Sequence, residues 1–207
     1  MNRYISRLTF ILVLSGIVLL FVLISRHKSV KNPTKHSQKT AAQQMAALSL
    51  EDQLLDAVNQ HQDSLVQNLL EQGANPNFKS FNGMSALVLA AGRGNHALVE
   101  KLLQHGADPD ISTQSGNTAL MAAAQAKHAS IVILLLEQGA NVHVTRPTGE
   151  TAFHFATHAC CMPCILSMLK SGADPHAPNQ DGHTPLSVAC PETKVLIQVY
   201  QQQTQGK

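Results

Sequence analysis

The stretch LLQHGADPD, residues 102–110, joins two leucines to a Gly-Ala step, and the chain repeats this arrangement at a fixed interval. Equivalent stretches begin at Leu69, Leu135 and Met168, so that the glycines of the Gly-Ala steps fall at positions 73, 106, 139 and 172. A second series of glycines keeps the same spacing: Gly83, Gly116, Gly149 and Gly182. A constant period of 33 residues indicates stacked repeats, in which each unit contacts only its neighbours.

Each unit has the features of two helices joined by turns. A hydroxyl residue stands where it can cap the first helix, at Ser85, Thr118, Thr151 and Thr184. The glycine of each Gly-Ala step is expected to end the second helix in a left-handed conformation. Ser49-Leu50-Glu51-Asp52 resembles a capping box that opens the first unit. Leu196, Ile197 and Tyr200 are expected to close the last one.

The units resemble the ankyrin repeat in their period and in their first residues, NGMSALVLAA (82–91), SGNTALMAAA (115–124), TGETAFHFAT (148–157) and DGHTPLSVAC (181–190). The resemblance implies an all-α solenoid of helix–turn–helix units with β-turn fingers, covering about residues 49–200. It also implies that His154 stabilises neighbouring backbone and that His128 has a structural place in the turn between helices. The expected units are 49–80, 81–113, 114–146, 147–179 and 180–200, with a tail at 201–207.

The N-terminal part of the chain is of a different kind. After a basic tail at residues 1–7, the run LTFILVLSGIVLLFVLI (8–24) contains no charged residue. As a helix it would cover roughly 25 Å, close to the ~30 Å of a bilayer core. No small-residue cleavage site follows directly, so we predict a transmembrane signal anchor rather than a cleaved signal peptide, with a buried core helix as a further alternative. Residues 25–48 are a polar linker.

The orientation of this anchor stays open. Two basic residues precede the apolar run and five lie between Arg26 and Lys39, which favours a cytoplasmic repeat domain. A short basic segment before an apolar run is, however, also how exported domains begin. The composition looks bacterial, and clustered thiols suit an oxidising compartment. We therefore predict a single-pass protein of a bacterial inner membrane with its repeats in the periplasm, the alternative being repeats that face the cytoplasm.

Composition and motifs favour a binding protein over an enzyme. The net charge is only +2 and most surplus basic residues precede residue 40, so nucleic acid is not an expected partner. No phosphate-binding loop, hydrolase elbow or zinc-protease motif is present, and no cofactor or small-molecule substrate is expected. The resemblance implies that a protein partner binds the finger tips and the concave face. The predicted role is a scaffold or protective binding protein, with a toxin-neutralising immunity protein as an alternative.

Alignment of the units selects the candidate partner-binding residues. Positions at the finger tips, just inside the tips and at the ends of the first helices are expected to face a partner. They are Phe81, Met84, Arg93, Gln114, Asn117, Gln125, Glu150, His158, Gln180 and His183. Phe81 is the exposed aromatic of this set, and aromatic residues are frequent binding hot spots. The alternative is that a single surface phenylalanine has no function.

The four cysteines gather between the fourth and fifth units. In the alignment Cys160 and Cys161 replace Gly94-Asn95, Cys164 replaces Leu98, and Cys190 replaces Ala91. Three interpretations stay open: free cysteines buried as small apolar residues, one or two disulfides, or a soft-metal or redox site. The last would make the chain a cysteine-centred metal or redox protein, although a single C-x-x-C without a second pair is a weak metal signal.

Overall fold

The computed structural model describes residues 49–205, which form ten helices arranged as five consecutive pairs. In chain order they are α1 Leu50–Asn59, α2 Asp63–Glu71, α3 Ala86–Arg93, α4 His96–Gln104, α5 Ala119–Gln125, α6 Ala129–Glu137, α7 Ala152–His158, α8 Met162–Lys170, α9 Pro185–Val188 and α10 Pro191–Gln205. The first helices of successive units contact one another, and so do the second helices from α4 onward. The predicted all-α repeat architecture is therefore confirmed.

Hydroxyl residues begin the helices as the sequence predicts. Ser49 accepts a hydrogen bond from the Asp52 N–H at 3.1 Å, and the Thr118 hydroxyl accepts one from the Met121 N–H at 3.3 Å. Ser85 and Thr184 cap their helices in the same way. A side-chain oxygen in this place satisfies an N–H that the helix itself leaves without a partner. At the start of α1 the Glu51 backbone N–H and the Ser49 hydroxyl also lower the pKa of the Glu51 carboxyl.

A left-handed residue separates the two helices of each of the first four units. His61, Gly94, Lys127 and Cys160 have φ values of 57°, 79°, 62° and 55°. They lie at equivalent positions of successive units, as the alignment of Cys160 with Gly94 predicts. Three of the four are not glycine and carry the cost of a Cβ in this region, roughly 1–2 kcal/mol. The regular period therefore fixes the backbone even where the residue type does not favour it.

Small residues allow the first helices to approach one another. Ala90, Ala91, Ala123 and Ala124 are at most 1% exposed. The second helices contribute larger side chains to the same continuous core, among them Leu102, Ile131 and Leu135, all fully buried. Burial of a leucine-sized side chain contributes about 1.5–3 kcal/mol. The core thus runs along the array, between the two layers of helices.

The fingers are tight hairpins that stack on one another. Short antiparallel bridges close three of them, Lys79 to Ser85, Ser112 to Thr118 and Thr145 to Thr151. At the third-unit tip Gly116 has φ 78°, and a Cβ there would lie 2.6 Å from the Cδ of Pro147 in the next finger. Only glycine allows this approach without displacement of the neighbouring finger.

The fifth unit differs from the others. Its first helix, α9, has only four residues, whereas its second helix, α10, has fifteen and ends at Gln205. The predicted closing residues behave as expected, since Ile197 is fully buried and Leu196 and Tyr200 pack against the core. Residues 201–205 of the predicted tail are instead the last turns of α10.

The predicted transmembrane segment, residues 8–24, lies outside the described residues. Within residues 49–205, none of the helices combines the length and apolar character needed to cross a bilayer.

Candidate functional site

Three adjoining hollows lie along the side of the array formed by the fingers and the first helices. The first, between the first and second units, has a volume of about 380 Å³; the next two have about 300 and 400 Å³. Met84 and Leu89 line both the first and the second, and Gln125 lines both the second and the third. Because neighbouring hollows share these residues, they lie in a row along the array, and we call this row the finger groove.

Seven of the ten predicted partner-binding residues line the finger groove: Met84, Arg93, Asn117, Gln125, Glu150, His158 and His183. Phe81, Gln114 and Gln180 are exposed at the finger tips beside it. Alignment of the units therefore places these residues on a common side of the array.

Phe81 is the most exposed large apolar side chain among the described residues, at 107% of its reference area. It belongs to the tip of the second finger, next to Asn82, and the finger is held from within by the Met84 N–H, which donates to Oδ1 of Asn82 at 3.1 Å. An aromatic ring with no packing partner contributes nothing to the core, and its burial by another molecule would be favourable. Its position is thus suited to contact with a partner.

Arg93 has a structural role that the alignment does not reveal. Its guanidinium donates to the backbone carbonyls of Asn59 and Val58, at 2.6 and 3.3 Å, and also to the side-chain carbonyl of Asn59. These carbonyls are at the C-terminus of α1, where a positive charge is favourable. Arg93 therefore links the first two units, and its donor groups are only partly available to a partner.

The fourth finger contains an arginine that the sequence analysis did not select. Arg146 forms an ion pair with Glu150 at 3.2 Å, and its guanidinium lies 5.5 Å from the centre of the Phe155 ring. The equivalent residues Ser80, Thr113 and Asn179 instead accept a hydrogen bond from the backbone of their own finger. The other units have a short polar residue at the position equivalent to Arg146. This difference is the sequence signal that could have identified Arg146.

Glu150 and Gln180 are also engaged within the array. Glu150 accepts a hydrogen bond from the Thr148 hydroxyl at 3.0 Å in addition to its ion pair. Gln180 donates from its backbone N–H to the Thr148 carbonyl at 3.0 Å and from its side-chain amide to the Pro147 carbonyl. Both residues therefore hold the fourth and fifth fingers in place while part of each side chain faces solvent.

His154 is buried, and its ring ties the fourth unit to the fifth. Nδ1 accepts from the Thr151 N–H at 3.1 Å and lies 3.0 Å from the Thr151 hydroxyl. With Nδ1 as the acceptor, Nε2 carries the proton and donates to the His183 carbonyl at 3.2 Å. The prediction that His154 stabilises neighbouring backbone is confirmed.

The cysteines form two disulfides of different character. Cys160 pairs with Cys190, with Cα atoms 6.1 Å apart, and Cys161 pairs with Cys164 across one turn, with Cα atoms 5.3 Å apart. None of the cysteines is free, so the interpretation of Cys164 and Cys190 as buried free thiols is wrong for this structure. Cys161 and Cys164 are buried, at 5% and 0% exposure, whereas Cys160 is exposed and Cys190 half-buried.

The geometry does not support the metal interpretation. Between residues 49 and 205 there is no group of three or more histidine, cysteine or acidic side chains arranged to hold a metal ion. The cysteine sulfurs, which would be the softest ligands, are used in disulfides. The groove side of the array offers a run of mixed polar and apolar side chains on packed helices, which is the chemistry of a protein interface.

Comparison with family models matches residues 54–146 to ankyrin repeats (3 copies) and residues 148–180 to a further ankyrin repeat. Together these matches cover more than half of the chain. No curated protein matches the chain closely enough to count as a relative.

Proposed function

The chain belongs to the ankyrin-repeat family, and from this premise we propose that it is a membrane-tethered binding protein that holds a protein partner in the finger groove. The repeats of this family are protein–protein interaction modules. The finer parts of the proposal are the place of binding, the tether and the role, which is to scaffold or protect the bound partner.

One observation carries the proposed place of binding: the finger groove runs beside the fully exposed Phe81. The groove offers hollows of about 300–400 Å³ that a partner's side chains could fill. Phe81 offers an aromatic surface next to them. Interfaces of this kind obtain most of their affinity from a few aromatic or arginine anchors, while surrounding polar contacts exclude water. Phe81 is the natural anchor.

The test compares two surfaces of the same array. Phe81→Ala removes the proposed anchor, and Ile133→Ala is the matched control because Ile133 is an exposed apolar residue of α6 on the second-helix side. A photo-crosslinking amino acid at position 114, an exposed tip residue of the next finger, or at position 133 of the full-length chain would report which side a partner contacts in cells. We expect crosslinks from position 114 that Phe81→Ala abolishes, and none from position 133 with the same partner.

Two results would overturn the proposed place of binding. Crosslinks confined to position 133 would place the interface on the second helices. Crosslinks from position 114 that survive Phe81→Ala with unchanged yield would show that the anchor is not used. In both cases the alanine variants must keep the helical circular dichroism spectrum of the parent, so that loss of binding is not loss of fold.

The membrane tether is proposed from residues 8–24, whose uncharged length is close to that of a bilayer span. The two disulfides support an oxidising compartment for the repeats, since disulfides are rare in the reducing cytosol. Alkaline phosphatase fused after Gln205 should be active if the repeats are exported, because this enzyme folds only where its own disulfides form. An inactive fusion in a membrane-bound chain would show that the repeats face the cytoplasm. A chain that carbonate extracts from the membrane would show that residues 8–24 are not a membrane tether.

A further inference from the structure

We propose that Cys160 and Cys190 form a reversible redox site at which a dithiol reductant loosens the C-terminal unit, while the Cys161–Cys164 disulfide is shielded and stays intact. The proposal concerns the chemistry of this chain alone. Its test needs no partner protein, so it stands or falls separately from the proposed function.

Exposure separates the two disulfides. Cys160 lies on the surface in the turn between α7 and α8, and Cys190 is half-buried. Cys161 and Cys164, although close in sequence to Cys160, are 5% and 0% exposed at the start of α8. Thiol–disulfide exchange requires an attacking thiolate to reach a sulfur along the S–S axis, so access decides which bond is attacked. Cys160 is the more exposed residue of its disulfide, so we take its Sγ as the point of attack.

The surroundings of Cys190 favour the opening of this bond. Cys190 directly precedes α10, and its carbonyl accepts the first hydrogen bond of that helix, from the Lys194 N–H at 3.0 Å. The Thr193 hydroxyl donates to the same carbonyl at 2.8 Å and lies 3.3 Å from the Cys190 Sγ, so a rotation of its O–H would direct the proton to a thiolate there. A sulfur at a helix N-terminus with a hydroxyl beside it is stabilised as a thiolate. Cys190 is therefore the better leaving group of the pair.

The exchange balances in electrons and protons. A thiolate of the dithiol attacks Sγ of Cys160, the Cys160–Cys190 bond breaks, and its electron pair leaves with Cys190, which then takes up a proton. The second thiol of the reductant attacks the mixed disulfide on Cys160 and frees that sulfur as a thiol. The protein gains two electrons and two protons, and the dithiol becomes a disulfide.

The consequence follows from where the bond is placed. It ties the turn after α7 to the start of α10, and between these points the fifth unit has a first helix of only four residues. Once the disulfide is open, α10 keeps its packing through Ile197 but is no longer cross-linked to the turn after α7. Asp181, His183 and Val188, which line the last hollow of the finger groove, belong to the unit that is loosened.

The experiment treats the full-length chain, purified oxidised in detergent, with dithiothreitol for increasing times, followed by alkylation and peptide mass spectrometry. We expect Cys160 and Cys190 to be alkylated together, about tenfold faster than Cys161 and Cys164. Hydrogen exchange measured after the first step should rise by roughly tenfold in residues 185–205 and stay unchanged in α3 to α6.

A variant reproduces the reduced state without a reductant. In Cys160→Ser/Cys190→Ala, position 190 takes the alanine of the equivalent interior positions. Its hydrogen exchange should match that of the reduced parent. Thr193→Val should slow the reduction of Cys160–Cys190 several-fold, because the leaving thiolate loses its hydroxyl donor.

Three results would overturn the proposal: reduction of Cys161–Cys164 first or at an equal rate, a purified chain in which Cys160 and Cys190 are already free, or exchange in residues 185–205 that reduction leaves unchanged. Should the double variant fail to fold, the reduced parent still provides the exchange measurement.

Discussion

The second and third units each place a first helix of seven or eight residues between two neighbours, whereas the fifth unit has the four residues of α9 and one described neighbour. In these two units Ala90, Ala91, Ala123 and Ala124 of the first helices are at most 1% exposed. The fifth unit relies on a long second helix, the buried Ile197 and a disulfide. Two-sided packing makes covalent support unnecessary in the interior, and the end of the array has to replace the missing neighbour by other means.

The largest expected effect comes from removing a buried side chain in the interior. Ile131 of α6 is fully buried, and α6 packs against both α4 and α8, so Ile131→Ala leaves a cavity in the interior of the array. We expect the free energy of unfolding to fall by about 2–5 kcal/mol. Urea denaturation followed by circular dichroism in the far ultraviolet measures this loss.

Ile197→Ala is the matched change at the end of the array, since Ile197 is equally buried but packs against one side only. It should raise hydrogen exchange in α9 and α10 while the main unfolding transition shifts by less than half as much as in Ile131→Ala. Equal shifts in the two variants would show that the array unfolds as a single unit and would remove the contrast between interior and end.

Much of this contrast is already contained in the sequence. The constant repeat period places Cys160 at the turn of Gly94, and both residues are left-handed in the structure. The buried Ile197 follows from the apolar pattern at the C-terminus. In a repeat protein, equivalent positions of different units share one backbone conformation. The conformation at one position therefore predicts that at its equivalents, even where the residue type differs.

The pairing of the cysteines and the reach of Arg93 could not be predicted in the same way. Four cysteines allow three connectivities, and spacing alone does not choose among them. Arg93 has enough rotamers to reach solvent or the C-terminus of α1, and its choice depends on the carbonyls of Val58 and Asn59, which belong to another unit. The sequence therefore predicts which residues line the candidate surface, but not which hydrogen bonds and disulfides their side chains form.

The turns between helices give the second prediction. Gly94 has φ 79°, and a Cβ at this position would lie 2.6 Å from Cε1 of His128 in the next unit. The left-handed backbone alone should make Gly94→Ala lower the free energy of unfolding by about 1–2 kcal/mol, and the close contact with His128 adds to this loss. Chemical denaturation measures the change.

Lys127→Gly is the reverse exchange at the equivalent turn one unit further on, where φ is 62°. It should stabilise the array by about 0.5–1 kcal/mol, because the relief of the left-handed strain exceeds the added entropy of the unfolded chain. A destabilised Lys127→Gly variant would mean that contacts of the lysine side chain stabilise the array by more than the left-handed backbone destabilises it.

The third prediction concerns the N-terminal end of the array. Arg93→Ala removes the hydrogen bonds to the carbonyls of Val58 and Asn59, and we expect a loss of about 1 kcal/mol that appears first as faster hydrogen exchange in α1. Gln125→Ala is the control near the equivalent position of the next unit and should change exchange in neither neighbour. If Arg93→Ala left α1 unaffected, the first unit would be held by its apolar contacts alone, and Arg93 would be free to serve a partner.

The smallest effect on stability is expected for Phe81→Ala, although Phe81 belongs to an interior unit. Its ring is fully exposed, so its removal leaves no cavity, and the free energy of unfolding should change by less than about 0.5 kcal/mol. Thermal melting beside the parent chain measures this. Stability and binding are then separated in one residue: an unchanged melting temperature with weaker partner binding means that the ring acts on the partner. A large loss of stability would mean instead that the finger needs Phe81 to fold, and the interior units would then depend on their tips as well as on their core.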